Sequence, residues 1–218
     1  NKGFKIAMNA LNAGRIKIGV ANTAISKRAF KLGINYANER IQFGEKIANF
    51  GAIKEKIATM AARLYGLESS WNRSAQQIDE VYEELVDQGQ DKLEAKIKSC
   101  AEYAMECAII KVYGSEVESY IVDEALQIHG GMGFSGESEI SVHYRNVRGN
   151  RIYEGTNEIN RILTPTMLLR KAMKAELPFM EKTMALFQEL MSGQLKAVEE
   201  ENHACLLYTS DAADDLWC

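Results

Sequence analysis

Proline is scarce: Pro165 and Pro178 are the only two in a chain of 218 residues. Long stretches are thus free of the residue that breaks helices, which favours helix. CxxC pairs are absent. The four cysteines (Cys100, Cys107, Cys205 and Cys218) and three histidines form no cluster with metal-ligand spacing, so no metal site is expected. Cys100 and Cys107 fall on one face of an expected helix and read as small core residues of a reducing compartment. No apolar run approaches the ~20 residues of a membrane span. There is no basic stripe and the net charge is −4, which argues against nucleic acid and anionic lipid as partners. The start, Asn-Lys-Gly-Phe-Lys, is neither a signal peptide nor an initiator Met, and the chain reads as a piece of something longer. With 46 % apolar and 26 % charged residues, it has the composition of a globular protein of one or two domains.

Helical periodicity dominates what is present. From Phe4 to about Arg40, apolar residues recur at Phe4, Ala7, Leu11, Ile18, Ala21, Ile25, Ala29 and Leu32, in steps of three, four and seven. Gly14 and Gly19 each weaken that helix by up to ~1 kcal/mol, so packing must hold it. A turn is expected at Phe43-Gly44. A second helix, from about Gly51 to Val86, carries Ile53, Ile57, Met60, Ala61, Leu64, Leu67, Trp71, Ala75 and Ile78 on one side. After a polar break at 87–91, a third runs to His129 with Ile97, Ala101, Ala104, Ala108, Val112, Val117, Ile121 and Ile128 as its stripe, and the glycines at 130, 131 and 133 end it. A partly helical segment at 137–148 and a loop at Tyr153-Glu154-Gly155 follow. Thr156 or Asn157 then caps a helix reaching about Ala175, which Pro165 is expected to kink. An amphipathic stretch with Phe179, Met180, Met184, Phe187 and Met191 extends from Pro178 to about Ser192. No strand pattern is convincing. The fold expected is all-α, an antiparallel bundle of long helices, each of the three spanning ~45–57 Å at 1.5 Å per residue.

Three motifs carry more than fold. They are Arg40-Ile-Gln-Phe-Gly44, Gln127-Ile-His-Gly-Gly-Met-Gly-Phe134 and Arg151-Ile-Tyr-Glu-Gly-Thr-Asn-Glu-Ile-Asn-Arg161. In this order, on this helical background, with Gly3-Phe-Lys-Ile-Ala-Met and Arg15 before them, the chain resembles the C-terminal domain of the acyl-CoA dehydrogenases over about Gly3 to Ala175. Asn49-Phe-Gly, the Arg-Ile-Tyr-Glu-Gly-Thr-Asn string and the helix after Pro178 are similar to the very-long-chain type. The stretch from about Gln76 to Ala95 is longer than that pattern and reads as a lobe on the bundle.

The resemblance implies flavin-dependent α,β-dehydrogenation of fatty acyl-CoA thioesters, with FAD as cofactor. Glu154 matches the family's base. A carboxylate suits removal of an α proton when burial tunes it, and Gly155, lacking Cβ, would let substrate approach the backbone. The Glu154 amide would help hold the thioester carbonyl as negative charge develops. Glu154 also reads simply as a helix-capping acid. Arg40 is expected at the FAD pyrophosphate, a guanidinium matching phosphate oxygens in pairs, or else in a surface ion pair. Gln42 and Phe43 would border the same cofactor. Gln127, Gly130 and Gly131 resemble the turn that touches the adenosine part of an FAD held mainly by a partner subunit; helix termination is their plainer reading. Thr156 and Glu158 look like further cofactor contacts, although Glu158 departs from members with an amide there. Arg15 is expected near the acyl-CoA phosphates or pantetheine arm, or as a solvated charge. His129 reads as a loop histidine without an acid-base role.

The same likeness implies a homodimer or dimer of dimers and an electron-transfer flavoprotein as acceptor. It implies two further domains outside this chain, which alone would have little or no activity. A bacterial cytoplasm is expected, or the mitochondrial matrix in a eukaryote. An acyl-CoA oxidase and a non-catalytic helical scaffold are the alternatives. Residues 1–175 are expected to form the bundle and 176–204 the start of a further helical region. Residues 205–218 read as a non-native tail, a translated sequencing adapter, or else a disordered one. The apolar face after Pro178 offers peripheral membrane contact.

Overall fold

The computed structural model describes residues 3–192. The order is α1 (Gly3–Glu39), strands β1 (Ile41–Gln42) and β2 (Glu45–Lys46), α2 (Gly51–Asp87), α3 (Lys92–Glu102), α4 (Ala104–His129), a single turn α5 (Gly131–Phe134), α6 (Glu139–Asn146), α7 (Asn157–Met173) and α8 (Phe179–Ser192). Contacts divide the chain after Leu169 into two units, the second holding α8.

In the first unit, α2 runs antiparallel to both α1 and α4, which themselves lie parallel. Trp71 Nε1 donates to Thr23 Oγ1 at 3.0 Å, Lys56 pairs with Glu124, and Tyr36 stacks on His129 with ring centroids 4.4 Å apart. The hydrophobic core sits among these three helices and α6, around Ala29, Met60, Leu67, Ile121, Val122, Ala125 and Ile140. The stripe expected of α4 is the buried one, whereas that of α2 is buried only at its middle: Ile53, Ile57, Trp71, Ala75 and Ile78 are half-buried and Ala61 is exposed. Met60, Leu64 and Leu67 are buried on α2, and Ala104, Ala108, Val112, Val117, Ile121 and Ile128 on α4.

The first helix differs from its expected stripe. Ala7, Leu11 and Ala21 face outward, while Asn9, Asn12, Arg15, Asn22, Thr23 and Ser26 are buried beside Ile18 and Ala29. Distant segments supply partners for three of them, the Glu154 carbonyl for Arg15, Asn150 for Asn22 and Trp71 for Thr23, while Asn9 and Asn12 bond within the helix and Ser26 Oγ has no partner among the described residues. The side chain of Phe4 lies outside the described residues. Close approach of the helices also selects small residues: a Cβ on Gly19 would lie 2.4 Å from Ile110 Cγ2 on α4.

The expected third helix is two. Buried positions step 95, 99, 104, 108, and the step of five exceeds what one continuous helix keeps on a face. A break at Tyr103 (φ −96°, ψ 24°) absorbs the extra residue. Nor is 76–95 a lobe. Helix α2 runs unbroken to Asp87, Gly89 turns the chain at φ +80°, and Asp91 Oδ2 caps α3 by accepting from Leu93 N and Glu94 N at 3.1 and 3.2 Å. The stretch is the tip of a helical hairpin. A short β-hairpin was also unforeseen. Its turn, Phe43 (φ +55°) and Gly44 (φ +87°), has the two left-handed residues that a two-residue hairpin loop needs.

In the second unit, α8 begins after Pro178, and Phe179, Met180, Met184, Phe187 and Met191 are exposed along it. Residues 205–218 lie outside the described residues. No described helix is long and apolar enough to cross a membrane.

Candidate active site and cofactor pocket

Two groups of the expected site residues are brought together, at opposite ends of α1. The first surrounds the 153–155 loop. Glu154 and Gly155 are consecutive left-handed residues, at φ +56° and +81°. A residue with a Cβ pays roughly 1–2 kcal/mol for that conformation, so the surroundings must enforce it. Arg15 Nε donates to the Glu154 carbonyl at 3.3 Å, and its Nη1 to Asn12 Oδ1 at 3.2 Å. Asn160 Nδ2 donates to the carbonyls of Gly155 and Thr156 at 2.9 and 3.1 Å. Lys111 Nζ donates to the Gly155 carbonyl and to Asn157 Oδ1, both at 2.8 Å.

The Glu154 side chain lies back against α1. A Cβ on Gly14 would meet its Oε1 at 2.9 Å and its Oε2 at 3.1 Å, so this glycine makes the room. Oε2 is buried without a hydrogen-bond partner among the described residues. Among the described residues the carboxylate is thus neither a helix cap nor half of an ion pair. The cap of α7 is Thr156, whose Oγ1 accepts from Ile159 N at 3.4 Å.

Two expectations need correction. Arg15 is 4 % exposed and its bonds go into the protein, so it holds the loop rather than reaching for substrate phosphates. Burial pulls its pKa down, while the charges of Glu154 and Cys107 act the other way. In Gly155 the missing Cβ makes room not for substrate but for Asn160 Nδ2, 3.2 Å from where a Cβ would stand, and for Arg15. Glu158 is exposed on the first turn of α7, its carboxyl held below the ordinary range by hydrogen bonds from its own amide and from Thr156.

A polar network that sequence reasoning missed backs the loop. Glu118 is 1 % exposed, and its Oε2 accepts from Asn150 Nδ2 at 2.6 Å. The Asn22 amide lies 3.0 Å from both groups, and the Tyr153 hydroxyl donates to Asn150 Oδ1. Burial drives the Glu118 carboxyl up to about 7, against the lowering effect of the Asn150 bond. The available signal was position: Lys111 and Glu118 fall on the otherwise apolar and small face of α4.

The second group lines a pocket of 450 Å³ where α1 ends. Its walls are Tyr36, Arg40, Gln42, Ile47, Ile128, His129, Gly130, Gly131 and Met132. Arg40 is exposed and has no ion pair among the described residues, which removes its surface-bridge reading. A Cβ on Gly130 or Gly131 would meet nothing within 4 Å, so this backbone is open to a ligand. His129 is the last residue of α4; its Nδ1 lies 2.7 Å from the Ala125 carbonyl, which makes Nδ1 the protonated nitrogen. Phe43, at the hairpin tip and 94 % exposed, and Gln127, exposed on the last turn of α4, stand outside the pocket wall. No cluster of metal-binding side chains occurs among the described residues.

The chain is similar to known proteins. The family model described as "Acyl-CoA dehydrogenase, C-terminal domain" matches residues 1–165. A Bacillus subtilis strain 168 protein named "Probable acyl-CoA dehydrogenase" is 48 % identical over 190 residues, covering 87 % of this chain and 32 % of that protein. The mitochondrial very long-chain specific acyl-CoA dehydrogenase of Macaca fascicularis is 39 % identical over 161 residues, 73 % of this chain and 22 % of that one. The crystal structure of an acyl-CoA dehydrogenase complexed with FAD from Bacillus anthracis superposes with a TM-score of 0.84 at 48 % identity, over 91 % of this chain and 34 % of that one. The chain therefore spans about a third or less of the length of these relatives. With the motifs, the helical bundle and the match over residues 1–165 in agreement, the chain belongs to the acyl-CoA dehydrogenase family, as its C-terminal domain.

Proposed function

We propose that, within the longer protein of which it is part, this domain supplies the base for α,β-dehydrogenation of a fatty acyl-CoA, and that the base is Glu154. The observation that carries the reading is its carboxylate, with Oε2 buried and unpartnered and the whole group seated on Gly14. A carboxylate without internal partners keeps its lone pairs for a proton from outside. The Glu154 carboxylate takes the α proton; the loop, tied at three successive carbonyls, keeps the group in place while it does so. The Glu154 amide has no acceptor among the described residues and serves as donor to the thioester carbonyl.

The pocket at the other end of α1 fits part of an FAD. Arg40 offers phosphate a guanidinium with no ion pair among the described residues, and the Gly130-Gly131 backbone and Gln42 flank it. FAD, when bound, accepts the hydride that leaves the β carbon. Arg15, in the first group, and Glu39, beside the second, are separated by about 36 Å of helix at 1.5 Å per residue. That is longer than an extended flavin dinucleotide, so a single copy does not bring both groups to the same FAD. The two groups serve one kind of cofactor if they come from different copies of the chain, which supports a homodimer or dimer of dimers.

The test uses the complete gene product. Glu154→Gln should lower exchange of the acyl-CoA α proton with solvent deuterium by at least about 100-fold while FAD stays bound. Unchanged exchange removes Glu154 as the base.

A further inference from the structure

Lys111 is the largest fully buried side chain among the described residues, at 0 % exposure. Burying an ammonium is costly, and proteins that do so normally pair it with a carboxylate. Here no carboxylate pairs with it among the described residues; its acceptors are the Gly155 carbonyl and the Asn157 side-chain amide, each at 2.8 Å. Asn157 is itself 1 % exposed and fixed in turn by Ser115, Oδ1 accepting at 3.2 Å and Nδ2 donating at 2.9 Å. Burial and then the charge of Arg15 pull the lysine towards its neutral form, and the Glu158 and Glu154 carboxylates oppose them.

Nothing in the packing of α1 on α4 calls for a lysine. The neighbouring buried positions on α4 are Cys107, Ala108, Val112 and Ser115, and an apolar residue of similar length would fill the space. What a long donor on α4 adds is a second bond, beside that of Asn160 Nδ2 on α7, to the carbonyl that follows Glu154. Together with Arg15 on the preceding carbonyl, that bond fixes both faces of the left-handed pair. We infer that Lys111 is a positioning residue for the reaction: its buried donor, reaching the Gly155 carbonyl from α4, sets the aim of the Glu154 carboxylate. This rests on Glu154 being the base.

The test compares Lys111→Met with Glu154→Gln in the complete gene product loaded with FAD. Three quantities are measured: kcat, α-proton exchange, and Kd for an unreactive acyl-CoA analogue. Methionine keeps the chain length and removes the donor. The proposal expects kcat and exchange to fall about 100-fold, the cost of an aim wrong by an ångström, with Kd unchanged. Unchanged kcat overturns it, and so does a loss in which Kd weakens by the same factor, since that marks general structural damage. If Lys111→Met does not fold, Asn157→Ala decides. It releases one of the two acceptors that fix Nζ, and kcat should fall about tenfold at constant Kd, the worth of one charge-assisted bond; an unchanged kcat then overturns the proposal. If Glu154→Gln leaves exchange intact, the base assignment itself has failed, whereas a silent Lys111→Met beside an inactive Glu154→Gln refutes only the positioning role.

Discussion

Gly14→Ala should separate stability from activity. In an exposed helix, replacing glycine by alanine stabilises by about 1 kcal/mol. At position 14 the added methyl would stand 2.9–3.1 Å from the carboxyl atoms of Glu154, where a carbon needs about 3.5 Å. Something must move by about 0.5 Å, and the least costly part is the free end of a flexible side chain, here the carboxylate, rather than helix backbone. The fold therefore keeps most of its propensity gain while the carboxylate is pushed off its seat. If a full ångström of misplacement costs about 100-fold, half an ångström costs about tenfold in kcat. The complete gene product is the material, with Tm by thermal unfolding and α-proton exchange measured on the same preparation. The expected outcome is a Tm equal to or above that of the parent, with exchange about tenfold slower. Unchanged exchange would mean that the carboxylate does not depend on its seat at Gly14, and a fallen Tm with unchanged exchange would show that the backbone, not the carboxylate, gave way.

Gly19→Ala makes the control for that experiment. Its methyl would press on Ile110 Cγ2 at 2.4 Å inside the α1–α4 contact, and the overpacking should destabilise by about 1–3 kcal/mol, read as a lower Tm, without a selective loss of kcat. Glu118 should make stability fall as pH rises. Its carboxyl titrates near 7 in the folded protein and near 4.3 when unfolded, so between these values the folded state binds more protons, and its advantage is full below about 4.3 and gone above about 7. In Glu118→Gln, chemical denaturation across this range should lose that slope, and an identical slope in the variant would assign it to another group.

The legible parts of the fold were those held by apolar contact within one helix. The stripe of α4, the middle of that of α2, the turn at Phe43-Gly44 and the cap at Thr156 follow from local pattern, because local pattern causes them. The buried face of α1 was hidden because its partners are remote: Arg15 meets the carbonyl of Glu154, 139 positions away, and Asn22 meets Asn150 across 128. A count of apolar residues gives such side chains to solvent. The break at Tyr103 carries no proline or glycine and arises from packing phase alone. In the candidate site, Arg40, Gln42, Gly130 and Gly131 were grouped by motif and do share a pocket, whereas Arg15 and Gly155 turned out to serve the loop from inside.

The contact of α1 with α4 changes character along its length, and this joins fold to chemistry. Towards Ala29, Gly33 and Ala37 it is small and apolar against Val122, Ala125 and Ile128, where dispersion and desolvation suffice and any polar group would be a cost. Towards Asn12, Arg15 and Asn22 it is polar against Lys111, Ser115 and Glu118, and the 150–157 segment enters there to complete the bonds. A loop with two left-handed residues could not rest on an apolar surface, since its carbonyls would be buried unpaired. The apolar end therefore secures the helix pair, so that the polar end can hold an otherwise unfavourable loop. Substitutions at the first end should move Tm, and those at the second should move the rate of proton removal out of proportion to Tm.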